Sequence, residues 1–318
     1  MFVPTSGAFD ANIRAQTLED EVSLATGGFG TVNLCLWNRS FVVAVKRIRP
    51  DRELDVKIVA RFQHEMSFAA VLQHPNLVHM YGTSSMNGLL AIVMEYMAGG
   101  SLNRLLKSGL LGQLSWSKKR LMALQMVSGL SYMHHPPHGS QRHGVLHSDL
   151  KLDNVLTDIE YNIKLADFGA AKMIEEFTRD SSALYKPYAS TTSYYAPEML
   201  ENHSISRKTD IWALGLCLYA LAVCKGAFVH CTNEAAVLTA ITKRNITPVP
   251  DSVPLPLRLL IEWSLSLESR ARPTAALLKE LLEEWQQQAP DDVLDQRAQP
   301  AQDANAMDLD NSADNSKC

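Results

Sequence analysis

The stretch His147-Ser148-Asp149-Leu150-Lys151-Leu152-Asp153-Asn154 places the strongest constraint on this chain. It puts an imidazole, a carboxylate, an ammonium and a carboxamide into one short loop, and a short apolar strand, Val155-Leu156, follows at once. Thirteen positions after Asn154 comes Asp167-Phe168-Gly169, and later Ala196-Pro197-Glu198. Gly169 allows a sharp backbone turn directly after a carboxylate. Each cluster alone is common, but three in this order over roughly fifty residues restrict the possible folds severely.

Composition sets looser bounds. A length of 318 residues fits one large domain or two average ones. With 46% hydrophobic residues and a net charge of -4, the chain has the makings of an ordinary core and no basic surplus to attract nucleic acid. Cys35, Cys217, Cys224, Cys231 and Cys318 form no CxxC pair, so reduced thiols in a cytosolic-type compartment are expected. Met1 to Phe9 lacks the basic and apolar halves of a signal peptide. The longest apolar run, Ile211 to Cys224, is short for a bilayer and apolar all round, which predicts a buried helix rather than membrane insertion. A soluble protein, placed in the cytoplasm or nucleus, is the expectation.

Residues 1–19 carry little pattern and are taken as a leader. Strands are predicted at Val22–Leu24, Thr31–Leu36, Phe41–Ile48 and Leu89–Met97. Alternation puts Ala44 and Lys46 on one face of their strand. Asp51 to Gln73 reads as a helix with Val59, Phe62, Met66 and Ala69 at helical spacing and Glu65 at the margin of that stripe. Met122, Met126, Leu130 and Met133 mark a second, buried helix. His134 to Gly144 reads as a surface insertion, and Thr274 to Gln288 as a last amphipathic helix. From residue 287 to 318 the chain turns to Asp, Gln, Ala and Asn with few large apolar side chains, so a disordered acidic tail that could bind a partner is expected.

Together these motifs resemble those of the protein kinases over residues 20–286. The resemblance implies an α+β, two-lobed fold, with a small β-rich N-lobe carrying one main helix and a larger, mainly helical C-lobe. It implies ATP and Mg2+ in the cleft between them. Ala25, Gly27, Gly28, Gly30 and Val32 would form the turn that covers the phosphates, with Ala25 where the family has its first glycine. Lys46 would hold the phosphates, steadied by Glu65. Ala44, Met94, Glu95, Met97 and Leu156 would line the adenine pocket, Met94 guarding its back and Glu95 to Met97 offering backbone hydrogen bonds at the hinge. Asp149 would orient the attacking hydroxyl and take its proton, and Lys151 would neutralise charge on the phosphoryl group. Asn154 and Asp167 would hold the metal.

Further expectations come with the resemblance. His147 would pack on Phe168, Asp210 would bond the catalytic-loop backbone, and Arg272 would pair with Glu198. Lys151, with Thr191 where the family has a threonine touching that lysine, implies transfer to Ser or Thr of protein substrates. The pattern is most similar to the tyrosine-kinase-like branch that includes the Raf, IRAK and receptor-interacting kinases. Ser148 stands where the family usually has an arginine that receives an activation-segment phosphate. Catalysis is therefore expected not to require phosphorylation of Thr178, Ser181, Ser182, Tyr185 or Tyr188. Two alternatives stay open, a pseudokinase scaffold and a small-molecule phosphotransferase.

Overall fold

The computed structural model describes residues 9–26, 30–49, 55–69, 71–86, 89–136, 143–174 and 192–288. The first half builds a sheet from β1 (Asp10–Ile13), β2 (Leu18–Thr26), β3 (Gly30–Trp37), β4 (Phe41–Ile48), β5 (Met80–Met86) and β6 (Leu89–Glu95). Their order across the sheet is β1-β5-β6-β4-β3-β2. One helix, α1 (Val56–Ala69), interrupts the strands.

Register divides the sheet residues into two sets. Val32 lies opposite Lys46, which lies opposite Ile92, and Ala44 lies opposite Met94. Those side chains face the main core and the cleft. Val43, Val45, Ala91 and Val93 point the other way and join Ile13, Leu18, Cys35 and Tyr81 in a second, small core. The sheet is therefore apolar on both faces, which explains why Phe41–Ile48 reads as a nearly continuous hydrophobic run.

The second half is mainly helical. A hinge turn leads through β7 (Gly100–Ser101) into α2 (Leu102–Lys107) and α3 (Trp116–His134). Short strands β8 (Val145–Leu146), β9 (Val155–Thr157), β10 (Ile163–Leu165) and β11 (Lys172–Met173) lie at the top of this half. Then come α4 (Pro197–Glu201), α5 (Arg207–Val223), α6 (Glu234–Thr242), α7 (Leu255–Ser264) and α8 (Ala275–Gln288). A capping box, with Ser206 and Thr209 satisfying each other's backbone N–H groups, starts α5. Every residue from Thr209 to Ala222 is buried, as its all-round apolar sequence requires. The predicted stripe Met122, Met126, Leu130 and Met133 on α3 is fully buried. No helix among the described residues is long and apolar enough to cross a membrane.

The structure differs from the sequence expectations at four places. Asp10–Ile13, inside the supposed leader, is a strand that pairs in parallel with β5. β5 itself, MYGTSSM, carried no strand signal because its middle is small and polar. On α1 the buried set is Ile58, Phe62, Glu65 and Phe68, so Glu65 sits within the buried face rather than at its edge. His134 belongs to the last turn of α3 and is fully buried, so the surface insertion starts after it.

Pairing of β1 covers an edge that would otherwise expose unpaired backbone groups. It demands a glycine, because a Cβ on Gly82 would fall inside the carbonyl of Asp10. Gly82→Val should therefore release β1 and destabilise the fold by about 1–3 kcal/mol. Amide exchange at positions 10–13 together with a urea melt reads this out. Unchanged protection there would mean that the contact is not needed.

Candidate active site

The site forms where the sheet, α1 and the β9–β10 hairpin meet. Lys46 on β4 reaches Glu65 on α1, with Nζ at 2.8 Å from Oε1 and 2.7 Å from Oε2. The same ammonium donates to Asp167 Oδ1 at 3.1 Å. Burial works against its charge most strongly, but Asp167 and Glu65 together outweigh that and hold Lys46 above the ordinary lysine range. The lysine is thus a fixed cation, tied to three elements at once.

The β9–β10 hairpin brings the other groups into line. Val155 pairs with Leu165, so Asn154 and Ala166 flank the open end, and Ala166 N–H donates to the Asn154 carbonyl at 2.9 Å. Asp167 follows directly, in the left-handed region at φ 63, and accepts from Gly169 N–H. Asn154 Nδ2 donates to the Asp149 carbonyl at 2.8 Å and, longer, to Asp149 Oδ2. That orientation leaves the amide oxygen of Asn154 as the atom able to take a cation. Lys151 Nζ lies 2.9 Å from Asp149 Oδ2. One short loop therefore holds a carboxylate, an ammonium and an amide within reach of a second carboxylate.

Beneath this loop lies Asp210, on the first turn of α5 and fully buried. Its Oδ2 accepts from His147 N–H at 2.8 Å and its Oδ1 from Ser148 N–H at 2.9 Å. His134 Nε2 also lies 2.8 Å from Oδ2. Burial pushes the acid's pKa upward, but the His134 bond, the nearby His147 and the Ser148 N–H outweigh it, so the pKa stays below the usual carboxylate range. Ser148 sits at φ 63, a conformation that costs a non-glycine residue about 1–3 kcal/mol and that these two bonds hold in place. His147 packs against Phe168, ring centroids 5.9 Å apart, and its Nε2 lies 3.2 Å from the Ala166 carbonyl. Arg272, fully buried, makes a two-pronged pair with Glu198 at 2.7 and 2.8 Å.

The remaining sequence candidates are placed as follows. Ala44 and Met94 share a row on the cleft face, with Val32 beside Lys46 in the next row. Leu156 lies on β9, opposite Ser101. Ala25 pairs with Val32, and Gly30 passes so close to the Arg47 carbonyl that a Cβ there would clash. Met97 closes the hinge turn by accepting from Gly100 N–H. Glu95 is more constrained than its sequence position suggests. Its N–H is taken by the His79 carbonyl, and its side chain by Lys164 at 2.7 Å. Gly27, Gly28, Thr178, Ser181, Ser182, Tyr185, Tyr188 and Thr191 lie outside the described residues.

Sequence reasoning missed the His134–Asp210 pair. A signal was present, since His134 continues the Met126, Leu130 stripe at helical spacing and so should have been placed on the buried face.

A family model described as the protein kinase domain matches residues 18–285. The chain belongs to the protein kinase family. This kinase chain is 32% identical to the serine/threonine-protein kinase CTR1 of Arabidopsis thaliana over 278 residues, 86% of this chain and 32% of that protein. It is 27% identical to a probable serine/threonine-protein kinase of Dictyostelium discoideum over 275 residues, 86% of this chain and 28% of the other. Against mitogen-activated protein kinase kinase kinase 2 of Arabidopsis thaliana it is 29% identical over 262 residues, covering 80% and 39% respectively. The kinase chain thus spans well under half the length of these relatives. The family in general uses ATP and a divalent metal.

Asp210 yields a pH prediction. Its folded pKa lies below the unfolded value of about 3.9, so its contribution is complete above that pH and lost as pH falls through the folded pKa. Asp210→Asn should cost about 2–3 kcal/mol at pH 7. The gap from wild type should then shrink in acid, as the aspartate of the unfolded chain takes up a proton before the folded one does. Urea melts of both proteins from pH 7 to pH 3 check this. A gap that stays constant would contradict the assigned role.

Proposed function

We propose that this chain transfers the γ-phosphoryl group of ATP, with Mg2+, to Ser or Thr hydroxyls of proteins in a signalling role. The observation that carries the reading is the joint placement of Lys46, Glu65 and Asp167 in one ion cluster beside the Asp149–Asn154 loop. Phosphoryl transfer asks the protein for positioning and charge neutralisation rather than covalent help, and these groups supply both.

In this reading Lys46 binds the phosphates of the nucleotide, and Glu65 keeps its ammonium aimed. Val32, Ala44, Met94 and Leu156 sandwich adenine, while the Glu95 carbonyl and the Met97 backbone fix its edge. Gly27, Gly28 and Gly30, with Ala25, let backbone amides approach the phosphates. Asp149 accepts the proton as the substrate hydroxyl oxygen bonds to the γ-phosphorus and the bond to the bridging oxygen of ADP breaks. Lys151 offsets charge on the group in transit. The donors Asn154 and Asp167 are oxygens, which suits a hard cation such as Mg2+, and the metal would draw charge from the phosphate oxygens.

Substrate class and branch rest on finer grounds. Lys151 next to Asp149, and Thr191, favour Ser/Thr transfer, and the names of the relatives point the same way. Likeness to CTR1 and to a kinase kinase kinase supports placement in the tyrosine-kinase-like branch. Action in the cytoplasm, on residues 20–286 as the working domain, completes the proposal.

Asp149→Asn should reduce phosphate transfer by at least about a hundredfold, within the usual contribution of a positioned base. Phosphoamino-acid analysis of the wild-type product should return phosphoserine or phosphothreonine. Phosphotyrosine would refute the specificity, and unchanged transfer by the variant would refute the role of Asp149.

Ser148 offers no cation, and its Oγ is buried without a partner among the described residues. Replacing Thr178, Ser181, Ser182, Tyr185 and Tyr188 together by Ala or Phe should therefore leave most of the activity intact. Loss of transfer in a variant that still melts normally would show that the activation segment needs its phosphate after all.

A further inference from the structure

Helices α3 and α5 touch through polar groups at both ends. His134, in the last turn of α3, meets Asp210, in the first turn of α5, with Nε2 at 2.8 Å from Oδ2. At the opposite ends Lys119, near the start of α3, meets Cys224, the C-cap of α5, with Nζ at 3.3 Å from Sγ. The two spans match. Residues 119–134 rise about 22 Å along α3 and residues 210–224 about 21 Å along α5, so the helices run antiparallel between the two contacts. The first contact shapes the Asp149 loop from beneath. The second takes no part in phosphoryl transfer.

That second contact is chemically odd. Lys119 is only 5% exposed, and a lysine so deep is normally paired with a carboxylate. Among the described residues its ammonium makes no ion pair. It donates to the Cys224 sulfur and lies over the Trp116 ring, 4.7 Å from the centroid. A thiol sulfur is a weak acceptor, and the ring offers only its quadrupole. A methionine would fill much the same space with no amine to desolvate, so packing alone does not account for a lysine here.

The sulfur side of the pair is open to small oxidants. Cys224 is partly exposed, and its Sγ otherwise makes only a long contact, 3.9 Å, with the Leu221 carbonyl. Cys35 and Cys217 are buried, and burial pushes the Cys217 thiol far up, away from the thiolate that oxidants attack. Cys231 is partly exposed as well, but no amine is bonded to its sulfur among the described residues. Only Cys224, among the described cysteines, combines access with a nitrogen nucleophile at its sulfur.

We propose that hydrogen peroxide joins Cys224 to Lys119 in a sulfenamide cross-link that thiols reverse. Peroxide first oxidises the thiol by two electrons: an S–O bond forms, the O–O bond breaks, and sulfenic acid and one water result. The ammonium then gives a proton to solvent and its freed lone pair attacks sulfur. The S–N bond forms as the S–O bond breaks, and the hydroxyl leaves with a second nitrogen proton as water. One peroxide is consumed and two waters are made for each bond. The bond joins residues 105 apart in sequence, and a tie of that length stabilises mainly by restricting the unfolded chain. It fastens the far end of the helix that carries Asp210, and it does not depend on the phosphoryl-transfer reading.

Peptide mapping of the full chain tests this, after treatment with hydrogen peroxide and alkylation of the remaining thiols. The wild type should give a species that joins the Lys119 and Cys224 peptides, uncut by trypsin after Lys119 and about 2 Da lighter than the two together. Dithiothreitol should separate them. The cross-linked protein should also melt several degrees above the same sample after dithiothreitol, which leaves oxidised methionines as they are. Lys119→Met and Cys224→Ser should each lose the joined species, and both should melt like wild type before peroxide is added. In Lys119→Met, Cys224 should go on to the sulfinic and sulfonic acids instead. Wild-type Cys224 found as those acids, with Lys119 free, would overturn the proposal. So would a disulfide from Cys224 to another cysteine, or a joined species that grows with protein concentration and so links two chains.

Discussion

The ammonium of Lys46 is where this molecule is joined. It sits on a strand of the sheet, and its two carboxylate partners come from the helix behind that sheet and from the turn at the top of the helical half. A half-buried lysine beside two carboxylates stays charged because each partner lowers the cost of the other's burial. Lys46, the helix α1 that carries Glu65 and the turn that carries Asp167 therefore cannot be positioned independently. Losing either carboxylate would leave the ammonium in a poorly solvated place with half its compensation, a situation that costs far more than an exposed ion pair ever contributes.

Asp210 plays the corresponding part below the cleft. Charged, fully buried and satisfied by His134 and two backbone N–H groups, it holds Ser148 in a left-handed conformation that the chain would otherwise leave. The loop bearing Asp149 is thus shaped from beneath by the most buried helix of the protein. The Arg272–Glu198 pair does similar work at the end of the following segment, with the arginine also donating to the carbonyls of Ser266 and Lys208. Such bonds fix geometry more than they add stability, and fixed geometry is what phosphoryl transfer needs.

Most of the site could be read in the sequence because each of its motifs is local. Asp149, Lys151 and Asn154 lie within six positions, and Asp167 is one hairpin away, so short-range spacing nearly dictates their meeting. The strand Phe41–Ile48 and the core of the helix Arg207–Val223 were legible from continuous apolar runs, and Ala275–Gln288 from its amphipathic spacing, all of them short-range signals. What could not be read depends on partners remote in sequence. β1 is a strand only because β5 lies beside it, and MYGTSSM has no pattern of its own to announce either. Glu65 looked like an edge residue because a carboxylate counts as polar in any stripe, until Lys46 makes a buried position favourable for it.

The sequence by itself determined the chemistry available: which carboxylates, cations and amide share one loop, and the two-lobed order of strands before helices. Only the tertiary structure decided how those groups are held. It added Asp167 to the Lys46–Glu65 pair, turned Glu95 toward Lys164, and buried His134 against Asp210. The physical reason is range. Backbone propensity and hydrophobic period act over a few residues, whereas the burial of a charge is decided by whichever distant group the folded chain places next to it.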